Sequence, residues 1–408
     1  MTALFASGSS EPQTLVVFVP IREGEGPALE RALERREAAL VSGLRSTKRV
    51  HSARLFLLPS DDGAPEALVL ETRFDGSARE HRRELVEAVG EPLLALVAHG
   101  EGSLPSTPAD LDAWLVERGL RLEATCSGHD GLTRAIIEND ARLDAAVQGL
   151  LDAEQAAGRL AGKSPLALAE WLRARLAEER ELGVEIFRLP AFERDAVTLR
   201  GLARQRPFTV ASTLAAAPFF ALRDRVRREH ETAAARPAPA SDRAGQNALI
   251  HVARLRPGKL RRSAVHFALA CVHDLVRARR PDALPAALGR IHCAAWTLLP
   301  GERLLFTMTY DGSFEVLGPE LAKHAPRAIR AIWGHTEGFG AASCLPLGGG
   351  VGIDGLRRFA RAFEVPAQIW YSAYPDLTVA DVLRNHHLRE LLASDLDAAS
   401  ASALSALL

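Results

Sequence analysis

An internal repeat limits the folds open to this chain more than any other feature of its sequence. Residues 49–59 read RVHSARLFLLP and residues 290–300 read RIHCAAWTLLP, so six of the eleven positions are identical. Each copy continues into an apolar run, an aromatic-Asp-Gly-Ser turn and a helical stretch that ends in His-x-Glu-Gly. In both copies the last histidine follows the aspartate by 24 positions, Asp75 to His99 and Asp311 to His335. The repeat predicts one structural unit that the chain builds twice.

The order of predicted elements in each copy is β-α-β-β-α, which is most of a ferredoxin-like unit. Such a unit covers one face of its sheet with helices, so the other apolar face needs a partner. Two copies in one chain can supply that partner to each other. We therefore predict an α+β fold in which two ferredoxin-like repeats pack sheet on sheet, with a helical insertion between them.

Residues between the two copies differ in composition from the copies themselves. Strand signals are scarce there, and helices are predicted over 108–118, 132–158 and 165–182. The predicted division of the chain is a first repeat at 13–105, a helical insertion at 106–231, a linker at 232–246, a second repeat at 247–345 and a C-terminal extension at 346–395.

The segment 207–222 has sixteen residues without a charge, and arginines flank it on both sides. It is shorter than the roughly 20 residues that a bilayer-spanning helix needs, and Pro218 interrupts it. One interpretation is a buried core helix. The other is an element that dips into a membrane surface, with its arginines on lipid phosphates.

Composition and charge exclude some classes of function. The net charge of -1 gives no basic surface for a nucleic acid, so no nucleic-acid partner is expected. Four scattered cysteines and a short polar N-terminus favour a cytoplasmic protein, with peripheral attachment to a membrane as the alternative. The sequence leaves the oligomeric state open.

The two copies, over 13–102 and 247–345, resemble the dimeric α+β-barrel superfamily. Its duplicated members include the dye-decolourising peroxidases, and the chlorite dismutases are related heme proteins. The stretch before Asp354 is similar to the Gly-x-x-Asp-Gly element of the dye-decolourising peroxidases, but Val351 stands at the first glycine and Gly352 comes one residue late. Stretches around Tyr310, Trp333 and Trp370 resemble uncharacterised bacterial proteins, and this second resemblance implies no activity.

Repetition of the histidines and aspartates favours roles in the fold. His99 and His335 are predicted at helix ends, where a histidine suits the exposed carbonyls. Asp75 and Asp311 are predicted as turn and N-cap residues of the helices that follow. A catalytic role for the same side chains is the open alternative.

Aromatic residues break the symmetry of the repeat, because all three tyrosines and three of the five tryptophans follow residue 290. This asymmetry favours a site for a small apolar or aromatic ligand in the second copy. His335 is the predicted acid/base, because histidine moves protons near neutral pH, and Asp311 would orient it with Tyr310 as a hydrogen-bond donor. The predicted walls of the site are Trp296, Trp333, Trp370 and Tyr371.

The cofactor that the resemblance implies is heme, and the alternative is chemistry without a cofactor. His387 is the candidate axial ligand, because imidazole on a helix is a common ligand of heme iron. No metal-binding motif is present, since His386 and His387 are neighbours that point to different sides of a helix. The run Gly350-x-Gly352-x-x-Gly355 has the spacing of a dinucleotide fingerprint but lacks its strand and its further βαβ units.

The sequence therefore supports two functional hypotheses. The first is an oxidoreductase of the α+β-barrel type, peroxidase-like with heme or free of cofactor, that acts on an apolar or aromatic small molecule. The second is a non-enzymatic peripheral membrane or lipid-binding protein that uses the segment 207–222.

Overall fold

A computed structural model gives the fold of the chain. It describes residues 12–60, 63–160, 162–178, 183–189, 245–278, 288–339, 352–395 and 397–408. Within these residues the protein is an α+β fold with two antiparallel sheets of five and four strands, as the repeat predicted.

The first copy of the repeat builds most of the first sheet. Its elements are strand β1 (Gln13–Pro20), helix α1 (Gly26–Ser46), strands β2 (Val50–Pro59) and β3 (Pro65–Phe74), and helix α2 (Ala78–Val97). The strands are rich in Val, Leu and Phe, which favour a half-buried pleated surface. Strand β3 lies between β1 and β2 and pairs with both in antiparallel register.

The second copy repeats this order. Its elements are strand β6 (Gln246–Arg254), helix α6 (Lys259–Ala278), strands β7 (Ile291–Leu299) and β8 (Arg303–Asp311), and helices α7 (Phe314–His324) and α8 (Pro326–Trp333). The second helix of this copy is divided in two, and Pro326 begins the second part, because the proline ring cannot continue a preceding helix.

The strand that follows each copy joins the sheet of the other copy. Helix α3 (Pro108–Arg118) leads into β4 (Gly119–Leu120), at the edge of the first sheet, and β5 (Leu122–Ser127), which pairs with β7. After helix α9 (Ile353–Ala362), β9 (Ile369–Ser372) pairs with β2. The strand orders are therefore β4-β1-β3-β2-β9 and β5-β7-β8-β6. Residues 119–120 and 122–127 are thus strands, although the sequence predicted a helical insertion there.

Three apolar layers hold the sheets and their helices together. One packs the first sheet against α1, α2 and α3, and a second packs the other sheet against α6, α7 and α8. The third lies between the sheets and joins Phe18, Phe56 and Val69 of the first sheet to Ile250 and Leu305 of the second. Burying each such side chain contributes about 1.5–3 kcal/mol. The sheets therefore pack face to face.

A separate compact unit contains residues 129–189 and 377–408, as far as they are described. It consists of helices α4 (Arg134–Ala156), α5 (Pro165–Glu178), α10 (Val379–Ala393) and α11 (Ala398–Leu407) around a leucine-rich core. The fully buried Arg389 donates to Asp140 at 2.8 Å and stacks over Phe187 at 4.2 Å, so it ties α10 to α4. Thr378 and Asp381 form a capping box at the start of α10.

Candidate active site

The first histidine of each copy lies at a β-bulge. The register between β2 and β3 shifts at His51, and the register between β7 and β8 shifts at His292. Val50 and Ala53 face the helices of the first sheet, so the bulge places both residues between them on the inner face. The sequence folds the same way around His292, between Ile291 and Ala294. Both imidazoles are thereby directed into the layer between the sheets.

His51 is held by hydrogen bonds on both ring nitrogens. Its Nε2 lies 2.8 Å from Asp75 Oδ1, and its Nδ1 lies 2.7 Å from the Tyr374 hydroxyl. All three side chains are buried. An ionised carboxylate can only accept a hydrogen bond, so we assign the ring proton to Nε2, and Nδ1 then accepts from Tyr374. The result is a continuous chain from a phenol hydroxyl through an imidazole to a carboxylate.

His292 repeats the histidine–aspartate pair in the second sheet. Its Nε2 lies 2.7 Å from Asp311 Oδ1, and both side chains are buried. The ring of Tyr374 is 5.9 Å from that of His51 and 6.2 Å from that of His292, measured between centroids. Two histidine–aspartate pairs thus flank one tyrosine.

The sequence predicted that Asp75 and Asp311 cap the helices that follow them. In the structure, serines occupy these N-cap positions. The N-cap of α2 is Ser77, whose hydroxyl accepts the backbone N–H of Glu80, and the N-cap residue of α7 is Ser313. The serine two positions after each aspartate occupies the N-cap position, but only Ser77 makes the side-chain capping hydrogen bond. The aspartate carboxylates orient the histidines instead.

A buried ion pair lies beside the histidines on the inner face of the first sheet. Arg54 is 1% exposed, its Nη2 donates to the Thr309 hydroxyl of the second sheet at 2.6 Å, and its Nε lies 3.5 Å from Glu71 Oε1. Next along β2 and β3 come Phe56 and Val69, which belong to the apolar layer between the sheets. The inner face therefore changes from polar at the histidines to apolar at the opposite end.

The structure separates two of the residues predicted to act together. Asp311 lies opposite Gln246 at the start of β6, whereas the His335 carbonyl accepts the N–H of Arg256, beyond the end of β6. Eight residue steps separate the ends of this strand, which is roughly 26 Å. The partner that the geometry gives Asp311 is His292, so the predicted Asp311–His335 pair must be revised.

His335 has a counterpart of the same kind in the first copy. The His99 carbonyl accepts the N–H of Arg22, just as the His335 carbonyl accepts that of Arg256. Gly100 and Thr336 then bridge to the strand ends of their sheets. These contacts show that the His-x-Glu-Gly segments close one edge of each sheet, as a role in the fold requires.

The predicted aromatic residues lie on different faces of the sheets. Trp296, Trp333 and Tyr310 pack on the helix side of the second sheet, and Tyr371 packs on the helix side of the first. Trp370 alternates with Tyr371 along β9, so it faces the inner layer, on the same side as Ser372, which donates to Gln246 of the second sheet. Of these predicted site residues, Trp370 and Asp311 share the inner face with Tyr374.

Heme ligation by His387 does not fit its surroundings. The imidazole is exposed on α10, whose buried side consists of Val379, Val382, Asn385, Leu388, Arg389 and Leu392. An axial ligand to a heme within a protein has to face an enclosed apolar space. No step is therefore assigned to heme.

Two further histidines are buried and neutral. Burial lowers the pKa of His81 to about 3, and the imidazole stacks on Phe74 at 3.8 Å with Nε2 at 2.8 Å from the Thr72 hydroxyl. Burial among the rings of Phe359, Phe363 and Trp333 likewise lowers the pKa of His251 to about 3. Neither imidazole is protonated to the cation near neutral pH, so we assign both side chains to the fold.

The described residues contain no group of three or more His, Cys, Asp and Glu side chains placed to hold a metal ion. None of the described helices has both the length and the apolar character that a membrane span requires. The segment 207–222 lies outside the described residues, so the lipid hypothesis stays a prediction.

Sequence reasoning missed Tyr374 as a member of the site, and it assigned His51 and His292 to the fold. One signal could have pointed to them: Arg54 stands three residues after His51 and directly before the apolar run 55–58 of the same strand. A charge at such a position faces the interior and needs partners there. Comparison of the chain with protein-family models, with curated proteins and with solved structures finds no match.

Proposed function

We propose that the protein is an enzyme that transfers a proton to or from a small apolar or aromatic molecule between its two sheets. The observation that carries this proposal is the buried hydrogen-bonded chain from Tyr374 through His51 to Asp75. A histidine oriented by a carboxylate on one nitrogen and bonded to a hydroxyl on the other is the arrangement that activates hydroxyl groups in enzymes.

Each member of the chain has a distinct task. The Tyr374 oxygen faces the substrate and exchanges a proton with it. His51 Nδ1 takes up the phenol proton or returns it, and Asp75 stabilises the imidazolium that forms. Because these groups are buried, few water molecules compete with the substrate for the hydroxyl, and the electrostatic interactions are stronger than in water.

The narrower form of the proposal places this chemistry among the oxidoreductases, as the α+β-barrel resemblance implies. A hydroquinone that loses one proton to the Tyr374–His51 chain becomes an electron-rich anion. It then gives two electrons and its second proton to dioxygen, and the products are a quinone and hydrogen peroxide once the first proton is returned. Membership of the α+β-barrel superfamily belongs to the same proposal, and two face-to-face sheets built from a repeat support it.

Oxygen uptake and peroxide release, measured with a panel of hydroquinones and phenols, test this function. The variant Tyr374→Phe keeps the ring but removes the hydroxyl, so we expect kcat/KM to fall by about 10²–10⁴-fold. His324→Gln is the matched control, because that imidazole is exposed at the end of α7. Wild-type turnover in Tyr374→Phe, or no oxygen uptake by folded protein with the whole panel, would contradict the proposal.

The lipid-binding hypothesis is a second proposal, and it rests on the arginine-flanked segment 207–222. Flotation with anionic phospholipid vesicles separates it from the first. A lipid-binding protein floats with the vesicles and loses this property when 207–222 is deleted, whereas the enzyme stays at the bottom of the gradient.

A further inference from the structure

Arg54 is the largest fully buried side chain in the layer between the sheets, and its hydrogen-bonding capacity is only partly used. Nη2 donates to Thr309, and Nε faces Glu71 at a distance longer than a hydrogen bond. Within the described residues Nη1 has no hydrogen-bond partner, and neither has Glu71 Oε2. A guanidinium has five N–H donors in a fixed fork, so the Nη1 donors are held in one direction.

Buried donors of a charged group without an acceptor are costly and rare in folded proteins. Replacement of the pair by apolar side chains would remove this cost, and the inner face is apolar from Phe56 and Val69 onward. A donor that is kept unpaired at such a position is explained if an acceptor arrives with a ligand. The acceptor would complete the fork and offset the positive charge.

The position of Arg54 suits a ligand that also reaches Tyr374. Arg54 and His51 lie on the same strand and the same face, three residues apart, which is roughly 7–10 Å with the bulge taken into account. Facing them in the second sheet are the inner positions Cys293 and Ala295, whose side chains are small. A molecule of the size of one substituted aromatic ring spans this separation.

The charges around Arg54 select the kind of acceptor. Glu71, Asp75 and Asp311 are carboxylates on the same inner layer, and Arg73, two residues from Glu71 on β3, is a second buried guanidinium there. The three carboxylates still outnumber the two guanidinium groups, so a phosphate with two negative charges would meet more repulsion than a carboxylate with one. The Thr309 hydroxyl accepts from Arg54 and still has its own proton to donate to such a group.

We infer that the substrate of the proposed enzyme is a small aromatic molecule with a carboxylate, and that Arg54 Nη1 and the Thr309 hydroxyl bind this carboxylate. That this molecule is a substrate rests on the proposed function, but its binding does not depend on turnover. The carboxylate fixes the molecule at Arg54, and its reacting group then lies toward Tyr374. Arg54 is thus a specificity-determining residue, and Tyr374 is the group that exchanges the proton.

Two probes that differ in one group test the inference. Titration calorimetry compares 4-hydroxybenzoate with 4-hydroxybenzamide, which has the same shape without the charge. We expect wild-type protein to bind the benzoate at least tenfold more tightly. The double variant Arg54→Met/Glu71→Gln removes both charges together, so no carboxylate is left alone in the interior, and the tenfold ratio should fall to about one.

Two other variants keep the test decisive. If the double variant does not fold, Thr309→Val takes its place, and it should reduce the ratio several-fold. Tyr374→Phe should keep the ratio and lose only turnover. Equal affinities of the wild type for the two probes, or an unchanged ratio in the folded Arg54 or Thr309 variant, would overturn the inference. A tenfold ratio without any turnover would instead contradict the proposed function and leave the carboxylate site standing.

Discussion

The two copies of the repeat build the same frame and differ in the side chains that they direct between the sheets. Each copy provides a bulge, a histidine and an aspartate that holds it. By register, Arg54 of the first copy corresponds to Ala295 of the second, and Glu71 corresponds to Thr307. The charges at the centre of the layer therefore come from the first copy, whereas the aromatic residues had predicted a site in the second copy.

The strand beside each histidine sharpens this difference. Ser372 pairs with Ser52 and Ser127 pairs with Cys293, so Tyr374 and His129 occupy equivalent positions after their strands. The backbone agrees, because Ala373 N–H donates to the His51 carbonyl and Gly128 N–H donates to that of His292. By register, a phenol follows the strand that pairs beside His51, and an imidazole follows the strand that pairs beside His292. The two copies therefore share their backbone frame and differ in the side chains beside the histidines.

The largest expected effect comes from breaking the charge pair that only the first copy has. Arg54→Met leaves Glu71 as a lone buried carboxylate, so the free energy of unfolding should fall by about 3–5 kcal/mol. In the second copy Thr307→Val removes only a hydroxyl, and the expected cost is about 1 kcal/mol. Urea unfolding measures both. Equal losses in the two variants would show that the copies do not differ in this way.

The second prediction compares the two histidines in catalysis. His51→Gln removes the group that exchanges the proton with Tyr374, so turnover should fall by at least about 10²-fold. His292→Gln should cost less, roughly tenfold, because the position equivalent to Tyr374 beside β7 is a histidine. Steady-state kinetics of both variants on one hydroquinone decide the matter. A larger loss in His292→Gln would reverse the assignment of the site to the first histidine.

The third prediction concerns the pH dependence of stability, which we expect to be similar for a buried histidine of each copy. His81 of the first copy and His251 of the second both have a folded-state pKa of about 3, below the ordinary value of 6.5. The unfolded chain therefore binds protons first, and the stabilising contribution of each neutral imidazole is present above pH 6.5 and lost as the pH falls toward 3. Between pH 7 and pH 5 each histidine should cost about 2 kcal/mol.

Urea unfolding of His81→Gln and His251→Phe at the two pH values measures this effect. Glutamine can still bond to the Thr72 hydroxyl, and phenylalanine suits the aromatic surroundings of His251. Each variant should show a smaller loss of stability between pH 7 and pH 5 than the wild-type protein shows. An unchanged loss would mean that the imidazole is not held neutral in the folded state.

Much of the frame could be predicted from the sequence, because it depends on local signals. The repeat predicted two β-α-β-β-α units, and the helix predicted over 108–118 is α3. The exchange of β5 and β9 between the sheets could not be predicted in this way. Pairing of distant strands depends on the tertiary contacts of short segments, and β9 has only four residues.

The site was harder to predict than the frame, and the reason is geometric. Asp311 has a histidine 19 residues before it and another 24 residues after it. Separation along the chain does not show that His335 lies at the far end of β6 while His292 lies beside the aspartate. The prediction of Trp296 as a wall of the site failed for a similar reason. Composition shows that the tryptophan is present, but the strand register decides that it faces the helices.

The most direct test of the account measures the bond between Tyr374 and His51 without the need for a substrate. Nitrogen-15 NMR of the histidine rings reports whether each ring nitrogen is protonated and hydrogen-bonded, and the variant His51→Gln assigns the His51 signals. In Tyr374→Phe we expect the His51 Nδ1 resonance to shift toward that of a nitrogen without a hydrogen bond, while the His81 signals stay in place. An unchanged His51 Nδ1 resonance would contradict the central claim.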